Sequence, residues 1–156
     1  MRRAALLVLA TKPGGTTRDH LASLLWPGTE DRLAKQNLRQ LLSDIRSIFG
    51  ADAVKSTNAM VQLNAVLVQT DVGRLEALKH ATDRTSLEQI DAIYAGPFGA
   101  DFHAAEEELE NWLLSQRRAY EEIAVSALDK LVELCLQEER FADGLAVANR
   151  LLSIEP

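Results

Sequence analysis

The sequence is poor in several residue types, and each scarcity excludes something. Cys135 is its one cysteine among 156 residues, so no internal disulfide can form, and a cytoplasmic setting is expected. No apolar run approaches the ~18 residues of a membrane-spanning helix, so no membrane partner is expected. His20, His80 and His103 are scattered without a helix-spaced pair, which argues against a metal site. "GPFGADF" has too few glycines, and lacks the strand-to-helix context, for a phosphate loop. No Ser–His–Asp set can be assembled, so neither a catalytic residue, a cofactor nor an enzymatic activity is expected. Aromatics are only 5%, while Leu and Ala abound within a hydrophobic content of 47%. That balance suits helices packed on helices and a mainly α fold.

Charge is present but unevenly placed. The whole chain carries −6, yet residues 1–70 carry +4 and residues 71–156 carry −10. A basic first half and an acidic second half suggest two modules, 1–70 and 71–156, with different partners. The opening "MRRAALLVLA" has a basic start and an apolar run. That run is short, and "TKPGGTTRDH" offers a turn and a helix start rather than a cleavage site. It reads as a core helix over 2–11, closed by Pro13 and two glycines.

A second helix follows in "TTRDHLASLLW", capped by Thr16 or Thr17, with Leu21, Leu24 and Leu25 as its apolar stripe. Thr29 or Asp31 opens a third, over 31–49, and Gly50 stops it. The period then changes. "AVKSTNAMVQLN" alternates around "TNA", which predicts a β-hairpin of Val54–Ser56 and Met60–Leu63. "AVLVQTD" offers a third short strand. From Val72 the pattern is helical, over about 72–82, 86–95, 104–118, 119–138 and 142–153, with "AGPFGADF" as the main break.

The third helix is unusual for an acidic chain. At about 100° per residue, Ala34, Leu38, Leu41, Leu42, Ile45, Ile48 and Phe49 share one arc. Arg32, Lys35, Arg39, Ser43 and Arg46 share the adjoining arc, and Gln36, Gln40 and Ser47 extend it. Asp44 is the only acid well inside the helix. Arg can donate two parallel bonds to guanine, Gln can pair with adenine through N6 and N7, and Lys can neutralise phosphate. Three helices followed by a hairpin is the order of a winged helix-turn-helix, whose last helix enters the major groove while the hairpin lies along the backbone. Lys55 on the hairpin, and Arg2, Arg3 and Arg18, are candidates for phosphate. The plainer alternative is a solvated helix face.

"HLASLLWPGTEDRLAKQNLRQLLSDIRSIFG" resembles the N-terminal part of SARP-type bacterial regulators. The resemblance is carried by Leu21, Ala22, Leu24, Leu25, Trp26, Pro27, Ala34, Asn37, Leu38, Arg39, Gln40, Leu42, Ser43, Arg46 and Gly50. "VQTDVGRLEAL", "IYAGPF" and "ENWLLSQRRAYEEIAVSALDKLVEL" are similar to that family's junction and bacterial transcriptional activator domain. The resemblance implies an OmpR-like winged helix joined to a TPR-like helical domain. It implies transcription control on double-stranded promoter DNA, often beside RNA polymerase, while the concave surface of a TPR-like array suits a protein partner or a homodimer. By residue it puts Arg32, Lys35, Gln36, Arg39, Gln40, Ser43 and Arg46 on or near the DNA.

The chain departs from that pattern. The family's small β-sheet ahead of helix one is missing, which suggests a fragment or a trimmed member. The rival expectation is a protein-interaction module at the front of a larger signalling protein, without DNA binding. In the acidic half, "ERFADGLAVANRLLSIEP" resembles the second helix of a tetratricopeptide unit, with Gly144 and Ala148 at small-residue positions and Pro156 at its end. Leu128, Leu131 and Cys135 face inward on the helix before it. No polar cap follows, which suggests that more chain follows too. "AAEEELENW" reads as an acidic helix start, stabilised by the helix dipole, rather than as paired catalytic carboxylates.

Overall fold

Ala34, Leu38, Leu41, Leu42 and Ile45 recur at three- and four-residue steps, and all five are buried along one side of a single helix, Asp31–Phe49. That helix is α3 in a computed structural model that describes residues 1–154. The chain is mainly helical, with a small three-stranded antiparallel sheet. In order the elements are α1 (Arg2–Ala10), β1 (Thr16–Thr17), α2 (Arg18–Leu25), α3, β2 (Val54–Ser56), β3 (Met60–Leu63), α4 (Asp71–Leu78), α5 (Arg84–Ile93), α6 (Glu107–Gln137) and α7 (Phe141–Ile154). Among the described residues, no helix is long and apolar enough to cross a membrane. The chain divides into two units, Met1–Gly73 with Phe102–Trp112, and Arg74–Asp101 with Leu113–Pro156.

In the first unit α1, α2 and α3 pack on one another. Their core joins Val8 and Leu9 of α1 to Leu21 and Leu25 of α2, Leu38, Leu42 and Ile45 of α3, and Val54 and Val61 of the hairpin. Leu109 is buried in the same cluster, and Phe102 and Trp112 pack against it. Burial of each such side chain stabilises by roughly 1.5–3 kcal/mol. The apolar arc of α3 is covered only as far as Ile45. Ile48 and Phe49 are 55% and 58% exposed, because the last turn runs past the core into the loop at Gly50.

The sheet has the order β1-β3-β2. Both hairpin strands fall where the alternation puts them. The third strand does not. Residues 65–71 form no strand; the backbone N–H groups of Leu67 and Val68 donate to the Asn64 carbonyl, which makes a turn. Val66 and Leu67 are exposed there, with no face to bury. Thr16 and Thr17 take the place instead, opposite Val61 and Met60. Two residues are too few to show a period, and Thr17 doubles as the N-cap of α2, accepting from the His20 N–H at 3.1 Å. The start of α3 also differs. Its N-cap is Glu30, with no side-chain bond. Thr29 instead donates its N–H to the Trp26 carbonyl, and the Asp31 carboxylate turns to Lys35.

The second unit is helical. Residues 104–118 and 119–138 do not form two helices. Glu107–Gln137 is continuous, and no proline or glycine interrupts it. Leu128, Leu131 and Cys135 are buried, and a Cβ at Gly144 would lie 3.2 Å from that of Cys135, so α6 and α7 approach closely there. Arginines tie the helices. Arg84 Nη2 donates to Glu138 at 2.7 Å, and Arg150 donates to Asp91 at 3.2 Å and to the Tyr94 carbonyl at 2.6 Å. Arg117 donates to the carbonyls of Phe98 and Gly99, both at 3.0 Å. Asp83 caps α5 by accepting from the Ser86 N–H at 3.0 Å, a bond that holds its carboxyl below the ordinary range. Pro156, expected at the end of the repeat unit, lies outside the described residues.

Gly15 leads into β1 with φ +86°, and a Cβ there would stand 2.8 Å from both Gln62 Cβ and the Val61 carbonyl oxygen. Gly14 beside it has open space. Gly15→Ala should therefore destabilise the first unit by about 1–3 kcal/mol. Gly14→Ala should stay within about 0.5 kcal/mol of the parent. Urea-unfolding midpoints check this, and equal effects at the two sites would contradict the close approach.

Candidate nucleic-acid interface

Burying the leucine side of α3 turns its other side outward. Arg32, Gln36, Arg39 and Ser43 follow one another at steps of four, three and four residues, and all four are exposed. Gln40 is exposed beside them, and Lys35 and Arg46 are half-buried on the flank. Arg32, Gln36, Asn37, Arg39 and Gln40 line one shallow surface depression. Lys55 is exposed on β2, opposite Gln62 in the sheet register.

The cations on this face are not equivalent. Lys35 Nζ lies 2.8 Å from Asp31 and 3.5 Å from Asp19. Its ammonium is held above its ordinary value, first by the hydrogen bond to Asp31 and then by the charges of Asp19 and Asp31. Arg39 Nε donates to the Lys35 carbonyl at 3.3 Å, a bond along its own helix that leaves the guanidinium in solvent. Gln40 donates to Asp44 at 2.9 Å. Arg46 reaches the hairpin, with Nε and Nη2 on the Val54 carbonyl at 3.2 and 3.1 Å and Nη2 on Ser56 Oγ at 2.7 Å. Among the described residues, Arg32, Arg39 and Lys55 form no ion pair.

Of the eight residues expected at a DNA surface, Arg32, Gln36, Arg39, Gln40 and Ser43 share one exposed face. Lys35 adjoins it with its charge paired, Arg46 is turned to the hairpin, and Lys55 stands on the hairpin itself. The Asp31–Lys35 pair has a sequence signal in its four-residue spacing. The Arg46 bonds have none, since the main acceptor is a backbone carbonyl. Arg18 donates its backbone N–H to the Ala59 carbonyl at 2.8 Å, and the guanidinium of Arg3 lies over the Phe102 ring at 5.9 Å. No family model, curated protein or solved structure matches this chain.

Replacing the carboxylate that bonds Lys35 should return its ammonium toward the ordinary value. Asp31→Asn should thus lower the Lys35 pKa, followed by NMR titration of its side chain. An unmoved titration would mean that the pair does not form in solution.

Proposed function

We propose that the first unit is a winged-helix module that binds double-stranded DNA, with α3 as the reading helix, in a SARP-type transcriptional regulator. The observation that carries this reading is the open stripe of Arg32, Gln36, Arg39, Gln40 and Ser43, in which neither arginine pairs with a carboxylate among the described residues. The order helix, strand, helix, helix, strand, strand, with the first strand on the far side of the hairpin, agrees with a winged helix. On this reading Arg32 and Arg39 meet guanine edges or phosphates, Gln36 and Gln40 address adenine, and Lys55 neutralises a phosphate. Gln40 must first release Asp44. The second unit serves as a TPR-like protein-contact domain, for RNA polymerase or a second copy, and the role is cytoplasmic and non-catalytic. The close approach at Gly144 and the buried stripe of α6 are consistent with such helix pairs.

A second reading keeps the protein contacts and drops the DNA. It is favoured by α7, where Phe141, Leu145 and Leu152 are each more than 60% exposed at spacings of four and seven residues. The pairing of Lys35 with two acids favours it too.

Fluorescence anisotropy with a random-sequence duplex across a NaCl series separates the two. DNA binding predicts affinity that falls steeply with salt, by close to one logarithmic unit of slope per phosphate neutralised. Arg32→Ala with Arg39→Ala should weaken binding at least about tenfold and flatten the slope by about 2. Salt-insensitive binding, or none, would leave only the protein-contact reading.

A further inference from the structure

The DNA reading treats α3 and the hairpin as two contacts, and Arg46 joins them. Its guanidinium leaves the helix and takes the Val54 carbonyl at 3.2 and 3.1 Å and Ser56 Oγ at 2.7 Å. Those acceptors stand on either side of Lys55, which is the only cation in the hairpin segment. β2 is an edge strand of three residues, of which Val54 is buried in the core while Lys55 and Ser56 are exposed. We propose that Arg46 is a positioning residue that clamps β2 to α3, so that Lys55 meets the phosphate backbone at a fixed offset from the reading helix. The proposal rests on the DNA reading.

The physical reason is ordering. Val54 and Val61 seat the hairpin in the core, but Lys55 and Ser56 are exposed at the sheet edge. Whatever freedom they keep must be given up when the duplex arrives, a cost that subtracts from the gain of the phosphate contact. Three hydrogen bonds from a charged donor do the immobilising beforehand. An arginine suits this because its planar fork can hold a carbonyl and a hydroxyl together. A lysine keeps the charge and loses the fork.

The test is a double-mutant cycle on the full chain, with a random-sequence duplex over a NaCl series. Lys55→Gln alone should weaken binding by roughly threefold to tenfold and reduce the salt slope by about 1. In an Arg46→Lys background the same substitution should change affinity by less than about twofold, because Lys55 is no longer held in place. Ser56→Ala, which removes one bond and no charge, should give an intermediate result. Hydrogen exchange without DNA should show faster amides in β2 and β3 of Arg46→Lys, with the interior of α3 unchanged. Equal effects of Lys55→Gln in both backgrounds would overturn the clamp while leaving DNA binding intact. Unchanged exchange in the hairpin would overturn it as well. A parent chain that binds no duplex would remove the DNA reading and this proposal together.

Discussion

Leu38, Leu42 and Ile45 are at most 1% exposed, and their burial fixes the rotation of α3 about its own axis. A turn of one residue, about 100°, would bring charged side chains into the core and leucines into water. Each leucine so exposed would cost roughly 1.5–3 kcal/mol. The bonds of Arg46 to Val54 and Ser56 hold the same rotation, and the exposed pairs of Lys35 add less than the burial of one leucine. The direction in which Arg32, Gln36, Arg39 and Ser43 point is therefore set by the apolar side of the helix. The side chains that would meet a ligand are placed by residues that never touch it.

What is legible in the sequence follows from the same asymmetry. The extent of α3, its five buried positions and both hairpin strands fall where period and alternation put them, since burial imposes those periods. The misses are places where another force decides. β1 consists of two threonines, one of which also caps a helix, so its pairing with β3 is made by tertiary structure and a glycine approach. Val66 and Leu67 look like strand residues by composition, yet Asn64 closes a turn on them and leaves them in water. The joint expected near residue 118 in α6 is absent, because neither proline nor glycine stands there to break the helix. For the candidate site, the sequence announces which residues share a face. It cannot announce which of them are already occupied.

That occupation changes the electrostatics. By count, the face of α3 carries four cations, Arg32, Lys35, Arg39 and Arg46. By contact, Lys35 is paired with two carboxylates and Arg46 is spread over a carbonyl and a hydroxyl. Among the described residues Arg32 and Arg39 remain as unpaired charges, with Lys55 nearby in sequence on the hairpin. A formal charge of +4 over residues 1–70 thus overstates the field a polyanion would meet. Such a face attracts a duplex less strongly than a uniformly basic one. On the proposed DNA reading, more of the discrimination would then come from Gln36, Gln40 and the arginine forks than from charge alone.

The acidic half sharpens the point. Of its basic side chains, Arg84, Arg117, Arg140 and Arg150 are all engaged with carboxylates, carbonyls or both. Cations there act as ties between helix segments, and the surplus of carboxylates leaves a net −10 over residues 71–156. A polyanion gains nothing from such a surface and is repelled within a Debye length of about 8–10 Å. Four of those carboxylates, Glu106, Glu107, Glu108 and Glu110, lie in the Phe102–Trp112 segment of the first unit, so attraction to a duplex would fall to Arg32, Arg39 and Lys55, which form no ion pair among the described residues. On the proposed DNA reading, a total charge of −6 implies both a low non-specific affinity and a dependence on the stripe along α3.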